Sequence, residues 1–192
     1  MRQAQYVPDQ HYIHLTFTAH GLNFKEFERC VFDQCDFSAC TFLAVTFIDC
    51  VFNHCIFSGA RINYVALRTV AFNDCTIKGV NFSMCDRLIF ELSFTRCILD
   101  FSQFYALKLK QTRFSQCSLI AADFMGADLT GVVFDHCDLY RAEFSRANAS
   151  KSDFRTSRHY AIDPAQTKIN KAQFSLGGLK GLLAKHEIVV VD

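Results

Sequence analysis

Ten cysteines and seven histidines in a 192-residue chain are the first side chains to weigh, because thiolates and imidazoles ligate metals, pair as disulfides or act as nucleophiles. Their spacing argues against these uses. Cys30-x4-Cys35-x4-Cys40 lacks the two-residue gap of a zinc site. His54 and His136 each precede a cysteine, but neighbours on extended backbone point to opposite sides and cannot close on one ion. The sequence contains no phosphate-binding glycine loop, nucleophile elbow, H-E-x-x-H or dinucleotide fingerprint. Catalysis, a resident metal and a cofactor are therefore not expected. The other charged groups of interest are six acids between 114 and 153: Asp123, Asp128, Asp135, Asp138, Glu143 and Asp153.

The elements that must position these groups follow from a five-residue period. From Phe17 in steps of five the chain reads Phe17, Leu22, Phe27, Phe32 and so on to Phe82; after a slip of two residues it resumes at Phe94 and runs to Phe154. Of these 27 positions, 17 hold Phe and nine hold Leu or Ile. The position two residues earlier is small, and all ten cysteines fall in it, sharing it with Ala and Val. Neither a 3.6- nor a 2.0-residue period fits. One large and one small inward residue in every five require a backbone that turns a corner at each repeat. Four sides make a square coil of 20 residues, and coils stack a strand spacing apart. The cysteines then read as reduced core thiols. Cys35, Cys55 and Cys75 stack on one face, as do Cys97, Cys117 and Cys137, at a separation of roughly 4.8 Å that lies within disulfide range.

The fold class expected is an all-β solenoid. Residues 1–16 lead in, 17–158 form the coils, and 159–192 form a C-terminal cap. The slip places a bulge at Asp86-Arg87-Leu88-Ile89-Phe90-Glu91, with Arg87 where a Phe or Leu is due. In the tail, Phe174, Leu176, Leu179, Leu182 and Leu183 fall near helical spacing, and Ile188-Val189-Val190-Val191 reads as a short strand. An open last rung is an aggregation hazard unless covered, so this apolar tail reads as a cap that also joins two copies into a homodimer, with Ile188 and Val190 in the contact.

The motif resembles that of the pentapeptide-repeat family, A(D/N)Lxx with Leu or Phe at its centre. Ala122-Asp123-Phe124-Met125-Gly126, Ala127-Asp128-Leu129-Thr130-Gly131, Cys137-Asp138-Leu139-Tyr140-Arg141 and Ala142-Glu143-Phe144-Ser145-Arg146 carry the resemblance, which covers about 12–158. It implies a right-handed quadrilateral parallel β-helix. Qnr-type members of the family bind DNA gyrase or topoisomerase IV as DNA mimics and protect the enzyme from quinolones or other poisons. The resemblance thus implies such a protein partner, with no direct nucleic-acid binding.

Charge bears on this reading. Twenty basic and 19 acidic residues give a net charge of +1, so the chain as a whole is no polyanion. Residues 25–60 and 114–153 each carry −3, whereas 61–113 carry +4 and 154–192 carry +3. Mimicry of DNA is therefore confined to the acidic zone near the cap: Asp123, Asp128, Asp138, Glu143 and Asp153, all in the outward position before the large residue. The competing reading is that these acids only support the turns. Projecting loops contribute to protection in Qnr-type members, which makes Asp86–Glu91 the corresponding candidate here. A generic interaction scaffold with another protein partner is the alternative function. The start of the chain lacks the apolar core of a secretory signal and no apolar run is long enough to span a bilayer, so a cytoplasmic location without membrane contact is expected.

Overall fold

The computed structural model describes residues 4–86, 91–186 and 188. The chain winds as a parallel β-solenoid of square section. Its strands are β1 (Gln5–Pro8), β2 (His11–Ile13), β3 (Lys25–Glu28), β4 (Val31–Asp33), β5 (Thr46–Ile48), β6 (Val51–Asn53), β7 (Ala66–Arg68), β8 (Val70–Asn73), β9 (Leu92–Thr95), β10 (Arg113–Ser115) and β11 (Val133–Asp135). The first wall is a sheet of order β1-β3-β5-β7 and the second a seven-stranded sheet of order β11-β10-β9-β8-β6-β4-β2. The third and fourth walls are held by single parallel bridges, such as Asp36 to Ile56 and Asp123 to Glu143.

The square section follows from the repeat. Inward Phe and Leu leave water almost completely: Phe32, Phe94, Phe104, Phe124 and Leu139 are fully buried. Most corners are made two residues after the large side chain by a left-handed residue. All the positive-φ residues, 23 non-glycine and four glycine among those described, stand there except His159. Left-handed backbone costs roughly 1–2 kcal/mol for a residue with a Cβ. The stack offsets this because most corner amides donate to a carbonyl of the next coil, as in Gln34 to Asn53 (2.8 Å) and His54 to Asn73 (2.9 Å).

Pairing is 20 residues apart on both sides of the slip and 22 across it: Phe52 faces Phe72, Phe72 faces Phe94, and Phe94 faces Phe114. The two extra residues therefore fall between Asp86 and Glu91, and the core keeps its register. Asp86 and Glu91 remain tied to it, their amides donating to Val65 (2.9 Å) and Leu67 (3.4 Å); Arg87, Leu88, Ile89 and Phe90 lie outside the described residues.

The solenoid extends beyond both sequence boundaries. Within the expected lead-in, β1 and β2 pair in register with β3 and β4. The Tyr12 ring stacks on Phe32 at 4.9 Å, and seven more rings continue the column to Phe174, which lies 5.2 Å from Phe154 with planes 3° apart. Stepping by five from Phe154 lands on His159 and Pro164. The chain instead advances by one and buries Tyr160, with Ile162 inside, before Ile169 and Phe174 re-enter the phase. Phe174 thus belongs to the last coil, not to the tail helix.

The tail forms a 3-10 helix at Leu176–Leu182 and a second short one at Ala184–His186. Glycine is a poor helix former, and Gly177, Gly178 and Gly181 fall inside the first of these. Packing demands two of them: a Cβ on Gly178 would sit 2.0 Å from the Tyr160 hydroxyl, and one on Gly181 2.3 Å from the Tyr160 carbonyl.

Candidate partner-binding surface

The interior offers thiols with no reactive role. All ten cysteines are buried and free. Cys35, Cys55, Cys75, Cys97, Cys117 and Cys137 form one continuous column, because the slip carries Cys75 onto Cys97 as it carries Phe72 onto Phe94. The thiols donate to the carbonyl of the large residue one coil earlier, as in Cys55 to Phe32 (3.3 Å) and Cys97 to Phe72 (3.3 Å). Ser152, Ser157 and Thr167 occupy the same position and make the same bond, to Leu129 (2.7 Å), Phe134 (2.7 Å) and Phe144 (3.0 Å). Reading this position only as small misses its second property, a hydrogen to donate. Burial pushes the Cys40 thiol up to about 11 and Cys50 up to about 12, so neither is a thiolate near neutrality. His54 and His136 sit at left-handed corners, and no group of His, Cys, Asp or Glu among the described residues could hold a metal ion.

The five outward acids do not form one surface. Asp123 and Glu143 lie on the fourth wall and bridge directly; Asp128 lies on the first wall, Asp153 on the second and Asp138 on the third. All five hold their own turn by accepting the amide two residues on, from Met125 (2.8 Å), Thr130 (3.2 Å), Tyr140 (3.2 Å), Ser145 (2.7 Å) and Arg155 (3.0 Å). This is the Asx-turn role that short acceptors play in tight turns. Three also have cations: Lys110 lies 3.3 Å from Asp128, Arg158 3.1 Å from Asp138 and Arg155 2.8 Å from Asp153. The Arg155 guanidinium holds the Asp153 carboxyl below the usual carboxylate range. Burial pushes Asp138 up, but His159, the Tyr140 amide and Arg158 together draw it down. Asp123 and Glu143 have no ion pair among the described residues.

Of the tail residues assigned to a contact between copies, Leu176 is 88% exposed, and Leu179, Leu183 and Ile188 are also exposed. Leu182 packs against the core, as Phe174 does, and Val190 lies outside the described residues, so the expected strand cannot be placed. No helix among the described residues is long and apolar enough to cross a membrane.

A family model described as a pentapeptide repeat region matches residues 25–91, and one described as pentapeptide repeats (8 copies) matches 97–135 and 122–158. The gap between them contains the end of the 22-residue coil. Among solved structures, a trypsin-treated form of QnrB1, a plasmid-mediated fluoroquinolone resistance protein, shares the fold with a TM-score of 0.65 at 15% identity, over 98% of this chain and 100% of that one. A second trypsin-treated form of QnrB1 matches with a TM-score of 0.50 at 18% identity, over 96% of this chain and 99% of that one. No curated protein matches the sequence. With repeat models covering the coils on both sides of the slip, and the inward Phe column and left-handed corners to match, the chain belongs to the pentapeptide-repeat family.

Proposed function

We propose that this protein binds a type II topoisomerase, DNA gyrase or topoisomerase IV, and protects it from a quinolone or another poison. The observation that carries this reading is the end-to-end match of the rod to QnrB1, a fluoroquinolone resistance protein. The physical basis is a rigid column whose interior is closed, so that only its walls can contact a partner. Nine aromatic rungs at roughly 4.8 Å give a rod about 40 Å long, comparable to a turn or so of duplex DNA. Asp123 and Glu143, one rung apart on the fourth wall, can occupy a groove built for phosphates.

Two copies joined through Leu176, Leu179, Leu183 and Ile188 would double this length, and the exposure of these apolar side chains, two on the helix Leu176–Leu182 and two after it, is what such a contact would cover. The test is a gyrase supercoiling assay in the presence of a quinolone. Restored supercoiling on addition of the protein is the expected result, and no restoration there or in a topoisomerase IV decatenation assay with the same quinolone sinks the reading.

A second reading, a scaffold for a different protein, is favoured by one observation. Asp128, Asp138 and Asp153 are spent on turns and ion pairs and offer little free charge. Binding to another purified partner, without rescue of supercoiling, supports it.

A further inference from the structure

We propose that the fourth wall, with its two flanking corners, docks a partner protein presenting basic and apolar side chains together. The inference names the face for the protein-binding reading above and rests on it only in that respect.

The solenoid is not the same on all sides. Large apolar side chains stand exposed at the corners that border the fourth wall. Phe101 (61%) and Tyr140 (48%) lie on one side, and Tyr64 (72%), Met84 (39%) and Tyr105 (49%) lie on the other. The corner between the second and third walls, diagonally opposite the corner of Tyr64, Met84 and Tyr105, exposes Ile13 (49%) and Leu15 (43%) in the first coil and is polar from the second coil on. There Asn53 donates to Asp33 (2.6 Å), Asn73 to Asn53 (3.0 Å), and Arg96 pairs with Asp74 (2.7 Å). Exposed aromatic and Met side chains gathered on one face are what protein interfaces enrich.

The floor between the two apolar corners is a bridged row, Asn81 to Gln103 to Asp123 to Glu143. Its two carboxylates are the pair of outward acids in the 114–153 zone that have no cation among the described residues, whereas Asp128, Asp135, Asp138 and Asp153 each have one. Toward the cap the wall therefore offers two carboxylates without ion pairs among the described residues, beside the Tyr140 ring that Arg141 covers at 5.2 Å, while Arg61 lies at the far end of the row, level with Tyr64. That combination of carboxylate and aromatic ring accepts a Lys or Arg whose neighbours are apolar, since the apolar corners also shelter the long alkyl stem of such a side chain. Phosphates would be repelled, which excludes nucleic acid as the occupant. Three rung spacings span about 15 Å, the reach of roughly ten residues of helix.

The experiment uses the full chain and a synthetic amphipathic Leu/Lys peptide, with amide exchange to map protection and fluorescence anisotropy to measure affinity. Protection is expected at 101–105, 121–125 and 140–145. F101N with Y105S, and separately D123K with E143K, should each weaken binding by at least about tenfold. D153K, on the second wall, should leave it within about twofold, and circular dichroism and urea midpoints confirm that each variant folds. Absent binding, protection on another wall, or equal loss in D153K overturns the inference. So does co-sedimentation with phosphatidylglycerol vesicles through the same residues, which would make the wall a lipid surface. The variants are then measured against DNA gyrase. If the wild type fails to bind gyrase, the topoisomerase reading falls while the peptide result still judges the wall. If gyrase binds wild type and D123K/E143K alike, the wall falls and the topoisomerase reading stands.

Discussion

Phe72 stacks on Phe94 with ring centroids 5.2 Å apart and planes 9° apart, although 22 residues separate them where 20 separate Phe52 from Phe72. The column keeps its register across the insertion. Replacing Asp86–Glu91 by four residues restores a 20-residue coil, and loop closure changes little over two residues. The expected shift in unfolding free energy is under about 1 kcal/mol. If the loop contributes to protection, the same variant loses rescue in the supercoiling assay while its urea midpoint stays put.

Phe124 is fully buried, with Phe104 at 5.0 Å and Phe144 at 5.4 Å in its column. The stacked neighbours are fixed by backbone ladders on both sides and cannot close over a hole. Phe124→Ala is therefore expected to cost about 3–5 kcal/mol in urea denaturation. A loss below about 1 kcal/mol would contradict the column.

The column was legible in the sequence because large and small inward residues recur with fixed phase, which no helix or flat strand allows. The ends were less legible. At Tyr160 the chain moves one residue out of phase, so counting by five meets His159 and Pro164 and stops short of Tyr160, Ile162, Ile169 and Phe174. The candidate surface was legible only in part. Counting by 20 puts Asp123 and Glu143 together, but the cations that neutralise the other acids come from residues two positions away or one coil away, such as Arg155 at Asp153 and Arg158 at Asp138. The exposed Phe101 and Tyr105 stand in positions where the repeat sets no rule, so nothing in the period marked them.

The thiols predict an alkaline limit to stability. Burial raises Cys40 to about 11 and Cys50 to about 12 in the folded chain, against an ordinary value of 9.0. Because the folded values lie above the unfolded one, the folded state holds protons that the unfolded state releases. The stabilisation is complete below pH 9.0 and is lost progressively as pH rises toward about 12. Urea midpoints should be flat from neutrality to about pH 8.5 and fall above it, with a shallower fall in Cys50→Ala. Under native conditions at neutral pH a thiol reagent should modify almost none of the ten cysteines, and all of them in denaturant.

Leu179 and Leu183 are exposed on the cap, at 41% and 42%. If they join two copies, light scattering finds a dimer for the wild type, and Leu179→Glu with Leu183→Glu gives a folded monomer. A monomeric wild type at micromolar concentration removes the dimer from the proposed function.

The Tyr160 hydroxyl is buried without a hydrogen-bond partner among the described residues and lies against Gly178. An unsatisfied buried hydroxyl costs about 1–3 kcal/mol, so Tyr160→Phe is expected to be neutral or stabilising, the opposite sign from other substitutions in the column. Gly178→Ala places a Cβ 2.0 Å from that oxygen and 3.0 Å from the ring carbon bearing it, which the packed ring cannot relieve. It should destabilise the cap, and Tyr160→Phe in the same chain should recover part of the loss, because it removes the nearer clash and leaves the farther one. Thermal melts of the four chains in this double-mutant cycle measure the coupling. Additive effects would show that Gly178 does not pack on Tyr160, and would leave the last coil capped by some other contact.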